Sequence, residues 1–308
     1  MNMIVVIGHR NPDTDSVVAA IAGSYFFNKI GKESRPARAG ELNRETKFVL
    51  NFFEEKEPEL IKDLTGWNFV LVDHNSVKES VEGRDDQKLV AVIDHHYLSG
   101  IQTKIPILYR SEPIGSTSTI LAKMYWERKI DIPVKIAGLL LSGIISDTLK
   151  FNSPTTTDED RQIAERLAQI ANVDIDRLAE EMFEAKSNLD GIPIEEVISQ
   201  DYKVFESLKG MFGMGVWETV KPEVLIDQKE KIITALREKK EKDKLKWLFF
   251  AVVDILKQNS YLLLIGDEEG DLAQRVFAGQ ADQGIMFLPG IVSRKKQVVP
   301  RILDYLNK

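Results

Sequence analysis

Val5-Val6-Ile7-Gly8-His9-Arg10-Asn11-Pro12-Asp13-Thr14-Asp15-Ser16 carries an apolar run into an imidazole, a turn and two carboxylates. Val70-Leu71-Val72-Asp73-His74-Asn75 and Val90-Ala91-Val92-Ile93-Asp94-His95-His96 repeat the arrangement, and all four histidines of the chain lie in these three segments. Short β-rich runs at residues 3–7, 69–73 and 89–94 alternate with helical patterns over about 14–28, 116–127 and 133–146. That alternation predicts an α/β fold with a doubly wound parallel sheet and helices on both faces. In such a sheet ligands gather beyond the carboxyl ends of the strands, where His9, Asp13, Asp15, Asp73, Asp94 and His95 fall.

Each of these residues has a plainer reading. Asp13 and Asp15 stand where a helix should begin and could simply cap it. Against this, carboxylates and imidazoles from separate strands converge on one sheet edge, where uncompensated negative charge is costly unless a cation sits among them. Asp147 ends the apolar helical pattern 137–146, where the carbonyl end of a helix disfavours an anion; an exposed Asp bonded to nearby amides is the alternative. In an extended segment His95 and His96 point to opposite sides, so one can bind metal while the other faces substrate. Asp94 reads as an acceptor that fixes an imidazole tautomer, or as a ligand itself, and His74 can equally hydrogen-bond within its own loop.

With no cysteine, disulfides and thiolate ligands are excluded and any metal site is built from oxygen and nitrogen. A length of 308 residues with 43% hydrophobic side chains allows two domains, each with its own core. The longest apolar stretches, around 136–145 and 247–253, fall short of the roughly 18 residues a membrane span needs. His9 interrupts the first strand pattern before any signal-like core can form, so a cytoplasmic protein is expected. A net charge of -7 argues against a surface that coats nucleic acid, although a local basic patch could hold an anion. Neither nucleic acid nor membrane is expected as a partner.

Helical patterns at about 158–170 and 174–187 precede Asn188-Leu189-Asp190-Gly191-Ile192-Pro193, whose turn residues mark a linker between domains 1–187 and 194–308. Strand candidates at 202–208 and 211–217, a charged helix around 227–243, apolar runs at 247–256 and 261–265 and a terminal segment from Gly290 predict a smaller mixed-sheet α/β domain. Ser293-Arg294-Lys295-Lys296-Gln297 is either an exposed basic turn or, given its apolar flanks, a segment held against a core with its cations aimed at phosphate. If the segment is extended, Lys295 and Lys296 point in opposite directions.

Gly8-His9-x-Asn11-Pro12-Asp13-x-Asp15-Ser16, Asp73-His74-Asn75, Asp94-His95-His96 and Ser293-Arg294-Lys295-Lys296-Gln297 resemble the motifs of the manganese-dependent inorganic pyrophosphatases, the family II enzymes of the DHH phosphoesterase superfamily. Asp-His-His alone marks only the superfamily. The basic motif, together with Ser142-Gly-Ile-Ile-Ser-Asp-Thr148 and Ser153-Pro-Thr155, is specific to the pyrophosphatases.

The resemblance implies hydrolysis of inorganic pyrophosphate to two orthophosphates in a cleft between the domains. It implies two manganese ions, with cobalt as an alternative: one held by His9 and Asp13, the other by Asp15, His95 and Asp147, with Asp73 bridging. Such ions lie about 3.5–4 Å apart and share a hydroxide nucleophile. By the same likeness His96 faces substrate as hydrogen-bond donor or general acid, Lys203, Arg294 and Lys295 grip phosphate, and magnesium arrives with the pyrophosphate. Ser76 departs from the pattern, where an acidic residue is expected. The interval between Asp15 and Asp73 has no room for a regulatory insert. A homodimer is compatible with the likeness. The alternatives are a DHH-type exonuclease or cyclic-dinucleotide phosphodiesterase, which usually carries a histidine-bearing motif in a second domain that here has no histidine, and a non-enzymatic metal or phosphate sensor.

Overall fold

Ile4–Ile7 consists entirely of β-branched apolar residues with no polar face to offer water, and the strand they form, β1, is buried within a six-stranded sheet. A computed structural model of the chain describes residues 3–189, 191–199 and 201–308, with backbone alone at Lys295 and Lys296. It divides into two compact units, Met1–Lys186 and Ser187–Lys308.

In the first unit, α1 (Thr14–Lys29), β2 (Ser34–Arg38), α2 (Arg44–Phe52), β3 (Glu59–Leu60), β4 (Asn68–Val72), β5 (Leu89–Asp94) and β6 (Leu108–Ser111) follow β1. Helices α3 (Thr117–Glu127), α4 (Val134–Asp147), α5 (Asp158–Ala171) and α6 (Ile175–Ser187) complete it. Every strand pair is parallel and the order is β3-β2-β1-β4-β5-β6, a doubly wound order that reverses between β1 and β4. Chains diverging at such a switch point leave a crevice at the carboxyl ends of the two strands. His9 and Asp73 leave the sheet there.

Helix α1 packs on β1, β2 and β4, and α4 packs on α1. Gly23 permits the approach: a β-carbon there would meet Val6 at 3.2 Å. On the opposite face Val5, Ile7, Phe69, Leu71 and Val92 are covered by Leu64, Trp67, Val81, Ile101 and Ile107. The connections β4–β5 and β5–β6 hold a single short 3-10 turn, Asp86–Lys88, so loop side chains cover this face where a helical layer was expected. Turn residues punctuate these segments too often for a helical period to develop. The sequence reading also passes over β2, interrupted by Pro36, and the half-exposed β6, which lies at the sheet's edge.

The second unit contains α7 (Ile194–Val197), β7 (Tyr202–Ser207), β8 (Gly210–Thr219), α8 (Glu223–Ile226), α9 (Lys229–Lys242), β9 (Trp247–Asp254), β10 (Asn259–Leu264), α10 (Asp267–Phe277), β11 (Ala281–Asp282), β12 (Ile285–Pro289) and α11 (Val299–Leu306). Its sheet is mixed: β8 and β9 run parallel, and the other pairs in the order β11-β12-β10-β9-β8-β7 are antiparallel. All of β9 is buried, with Phe249, Ala251 and Val253 in one core beside α10 and α11, and Leu248, Phe250 and Val252 in another beside α9. An unbroken apolar run is what a strand covered on both faces requires.

The basic segment is not extended. Arg294–Val298 winds as a π-helical turn leading into α11, with the Gln297 and Val298 amides donating to Ser293 O at 2.9 and 3.2 Å. Gln297 Oε1 accepts from the amides of Val292 and Ser293, which fastens the start of the turn. Opposed orientations of Lys295 and Lys296, expected for an extended segment, therefore do not follow; their side chains lie outside the described residues. No helix among the described residues is long and apolar enough to cross a membrane.

Helix α4 comes against α1 and α3 at Gly143, where a β-carbon would stand 2.5 Å from Asp15 Oδ1, 2.9 Å from Val18 Cγ2 and nearer still to Ser118 Oγ. Gly143→Ala is expected to destabilise the protein by about 1–3 kcal/mol in denaturant titration. An unchanged midpoint would mean that the helices part without cost.

Candidate metal centre

The six side chains proposed as ligands from the sequence fall into two groups that share one carboxylate. His9, Asp13 and Asp73 form one; Asp15, Asp73, His95 and Asp147 form the other; within each, one donor atom per residue lies within 4.8 Å of all the rest. His9 Nε2 is 3.5 Å from both Asp13 Oδ2 and Asp73 Oδ2, while His95 Nε2 is 3.4 Å from Asp73 Oδ1 and from Asp147 Oδ2. Charge-assisted hydrogen bonds close to about 2.7–2.9 Å, so these separations suit atoms arranged around a common cation better than atoms sharing a proton.

Local structure aims each donor. Asp13 caps α1, its Oδ1 accepting from the Ser16 amide at 2.9 Å, and turns Oδ2 toward His9, so the cap leaves one oxygen facing the cluster. Asp73 leaves β4 in the left-handed region, φ 61°, a conformation that Asp tolerates better than most residues and that is often found at functional sites. His95 is held by Ile114 O, 2.9 Å from Nδ1; with the proton on that nitrogen, Nε2 keeps its lone pair for the cluster. Asp94, fully buried, accepts from the His96 amide and ring Nδ1 on one oxygen and from Asn75 Nδ2 on the other, so it orients His96 and stays outside both groups. His74 has both ring nitrogens engaged, with Val72 O and Ser80 Oγ, and has none left for a metal.

Sequence reasoning missed the cradle beneath Asp15. The amides of Thr117 and Ser118, at the start of α3, and the Ser118 hydroxyl all donate to this buried carboxylate; Thr117 Oγ1 donates to Asp73 Oδ1 at 2.9 Å. A helix amino terminus favours an anion through its free amides and its dipole. The signal available beforehand was the hydroxyl-rich run Ser116-Thr117-Ser118-Thr119 opening a helix pattern.

Protons settle where positive charge is needed. Burial, and then the charge of Asp73, push Asp15 up to about 6; burial with the neighbouring carboxylates raises Asp147 well above the usual range. Burial works against charging His9, but Asp13 and Asp73 outweigh it and raise the imidazole to about 10; Asp73 and Asp15 likewise raise His95 to about 9. Burial acts to raise Asp73 too, yet the two imidazoles hold it below the carboxylate range. Asp73 Oδ2 and His95 Nε2 are buried without a hydrogen-bond partner, two inward-facing atoms that a cation would satisfy. The donor set therefore fits divalent metal.

In the second unit Lys203 is exposed on β7. Arg294 is fixed to Asp201, through Nη1 to its carbonyl at 2.7 Å and Nη2 to its carboxylate at 2.8 Å. Asp201 was not anticipated, and the placement of the Lys295 side chain lies outside the described residues.

Residues 3–144 match the DHH family N-terminal domain and residues 180–305 the DHHA2 domain. The chain is 40% identical over 307 residues to a manganese-dependent inorganic pyrophosphatase of Methanocaldococcus jannaschii, with 97% of each chain covered. It is 39% identical over 307 residues to a "Probable manganese-dependent inorganic pyrophosphatase" of Clostridium acetobutylicum, with 99% of each covered. A crystal structure from Methanococcus jannaschii assigned to the family II inorganic pyrophosphatases superposes with a TM-score of 0.66 at 38% identity, covering 99% of this chain and all of the other. The chain belongs to the manganese-dependent, family II inorganic pyrophosphatases. In this pyrophosphatase chain the DHH match holds every residue of the cluster but Asp147, and the DHHA2 match holds Lys203, Arg294 and Lys295.

Metal uptake by the cluster is expected to expel the protons that His9 and His95 hold at neutral pH, because a ligating imidazole must be neutral. Both groups are raised, so manganese affinity should climb as pH rises from 6.5 toward 9 and be lost as pH falls. Calorimetry in buffers of different ionisation enthalpy measures the release directly. Uptake that is independent of pH over that range would contradict the protonation pattern.

Proposed function

We propose that the protein hydrolyses inorganic pyrophosphate to two orthophosphates, using two divalent cations held by His9, Asp13, Asp15, Asp73, His95 and Asp147. The observation that carries this reading is the pair of donor groups joined at Asp73, with unpartnered atoms of Asp73 and His95 facing into them. Four ionised carboxylates and two neutral imidazoles match the charge of two dications. Oxygen and nitrogen donors without sulfur suit manganese or cobalt at the pair, and the relatives named as manganese-dependent support manganese. Magnesium, which favours phosphate oxygens and water, would enter with the substrate. Held by these residues, such a pair would activate water for attack at neutral pH and offset the charge on the phosphoryl group.

The protein's own groups then position and protonate. Asp73 belongs to both donor groups and would bridge the two ions. The hydrogen bond between His96 Nδ1 and Asp94 Oδ1 commits that nitrogen and raises the imidazole, leaving Nε2 to donate to the departing phosphate. Lys203, Arg294 and Lys295 would bind the anion. Asp201 occupies one N–H on each terminal nitrogen of Arg294, and among the described residues no other acceptor engages the remaining guanidinium donors, which can meet phosphate oxygens. Phosphoryl transfer depends mainly on such positioning and charge stabilisation.

The deciding experiment measures phosphate release by metal-stripped protein refilled with manganese, from pyrophosphate and from a dinucleotide. Release from the dinucleotide alone would replace this reading with that of an exonuclease or phosphodiesterase, and release from neither with that of a sensor. Manganese or cobalt should activate more strongly than zinc. Asp73→Asn should weaken both metals together, since a neutral amide bridges two dications poorly; one metal kept at wild-type affinity would remove Asp73 as the bridge. Arg294→Ala should leave manganese affinity unchanged and lower kcat/KM for pyrophosphate by about 100-fold or more. Wild-type kinetics in that variant would return the basic segment to a solvated turn.

A further inference from the structure

We propose that Glu45 is a positioning residue for the metal centre, its carboxylate tying the first turn of α1, which carries Asp13 and Asp15, to the last turn of α4, which carries Asp147. The inference rests on reading those aspartates as ligands of a dication pair.

Strand-borne and helix-borne donors are placed by different means. His9, Asp73 and His95 follow β1, β4 and β5, whose parallel ladders hold neighbouring strand ends in register. Asp13, Asp15 and Asp147 sit at the ends of two separate helices, and no ladder relates one helix end to another. Glu45, in the first turn of α2, supplies a link. Its Oε2 accepts from Thr14 Oγ1 at 2.8 Å and from Ser146 Oγ at 2.7 Å. Thr14 lies between Asp13 and Asp15, and Ser146 precedes Asp147, so one oxygen joins the immediate neighbours of all three helix-borne donors.

The end of α4 has need of such a tie. Directly after Thr148 the backbone passes through three consecutive left-handed residues, Leu149, Lys150 and Phe151, with φ of 48°, 51° and 67°. That conformation costs about 1–2 kcal/mol for each L-residue, and the turn is closed by its own hydrogen bonds, from the Lys150 amide to Ile145 O and from the Ser153 amide to Thr148 O, which fix its shape without relating it to α1.

Glu45 is also an expensive choice if stability alone is considered. It is 1% exposed, its Oε1 has no hydrogen-bond partner among the described residues, and Lys186 Nζ stands 3.7 Å from Oε2. A buried carboxylate so incompletely satisfied usually destabilises relative to an apolar residue of similar size. Glu45 is not itself a member of either donor group. Its chemistry instead matches that of an outer acceptor which acts through the neighbours of the ligands; loss of a partner bonded to a ligand itself typically lowers metal affinity about 10–100-fold, and the indirect tie is expected at the lower end of that range.

The test measures manganese stoichiometry and affinity by equilibrium dialysis of the metal-stripped full chain, with electron paramagnetic resonance reporting the coupling between paired ions. Wild type, Glu45→Ala, Glu45→Gln and Ser146→Ala are compared well below their melting temperatures. Glu45→Ala is expected to bind manganese at least tenfold more weakly and to lose the pair coupling, while Glu45→Gln, which keeps an oxygen acceptor, recovers most of both. Wild-type affinity in Glu45→Ala, or equal weakness in the Ala and Gln variants, overturns the proposal. If Glu45→Ala does not fold, Ser146→Ala decides: weakened binding supports the tie, and wild-type binding overturns it. A wild-type protein that takes up no manganese would instead overturn the metal-centre reading beneath it.

Discussion

Four carboxylates, Asp15 and Asp73 buried, Asp147 partly buried and Asp13 half exposed, are brought to one edge of the first sheet, and their mutual repulsion is the constraint around which that unit is organised. Moving a single unpaired charge out of water costs several kcal/mol, and four near one another cannot all stay ionised without compensation. The surrounding structure answers with imidazoles that hold protons well above their ordinary range, with the amides opening α3 turned onto Asp15, and with Gly143 leaving room for that carboxylate against α4. Two dications would meet the same demand more completely. The features that a stability-minded design would remove, namely the left-handed backbone at Asp73 and the unpartnered atoms of Asp73 and His95, all lie where those ions would sit.

The doubly wound strand order makes this convergence possible. Because connections leave β1 and β4 in opposite directions, the crevice between their carboxyl ends stays open, and residues from β1, β4, β5, α1 and α4 can meet there without blocking one another. The second unit is built differently. Its central strand β9 is buried on both faces, and its cationic residues lie on β7 and on the turn that starts α11. Arg294 is already oriented by Asp201, so less side-chain freedom remains to be lost when an anion is bound.

Particular elements explain where sequence reading succeeds and where it stops. β1, α1, β5 and α4 are legible because their apolar runs and the polar or turn residues that bound them are local signals. β2 and β6 are not, since Pro36 and the polar residues of Leu108–Ser111 hide their pairing, and nothing local in the basic segment distinguishes an extended course from the helical turn whose start Gln297 fastens. The side chains that gather at the sheet edge were nameable beforehand because each follows an apolar run in its own segment.

Sequence by itself determined the α/β class, the parallel first sheet and the identity of the acids and imidazoles at the strand ends. Each follows from side-chain chemistry repeated at the period of a strand or helix. Only the tertiary structure decided which atom of each residue faces inward: that Asp13 divides its oxygens between cap and cluster, that Asp15 rests on amides 102 and 103 residues away, that Asp94 serves His96, and that Glu45 reaches Thr14 and Ser146. The bonds to Asp15 and Glu45 join residues too far apart in the chain to leave a period to read, and the choice of oxygen at Asp13 and Asp94 depends on what else each carboxylate meets. They are fixed when burial brings the elements together and every polar atom must find a partner or bear the cost of having none.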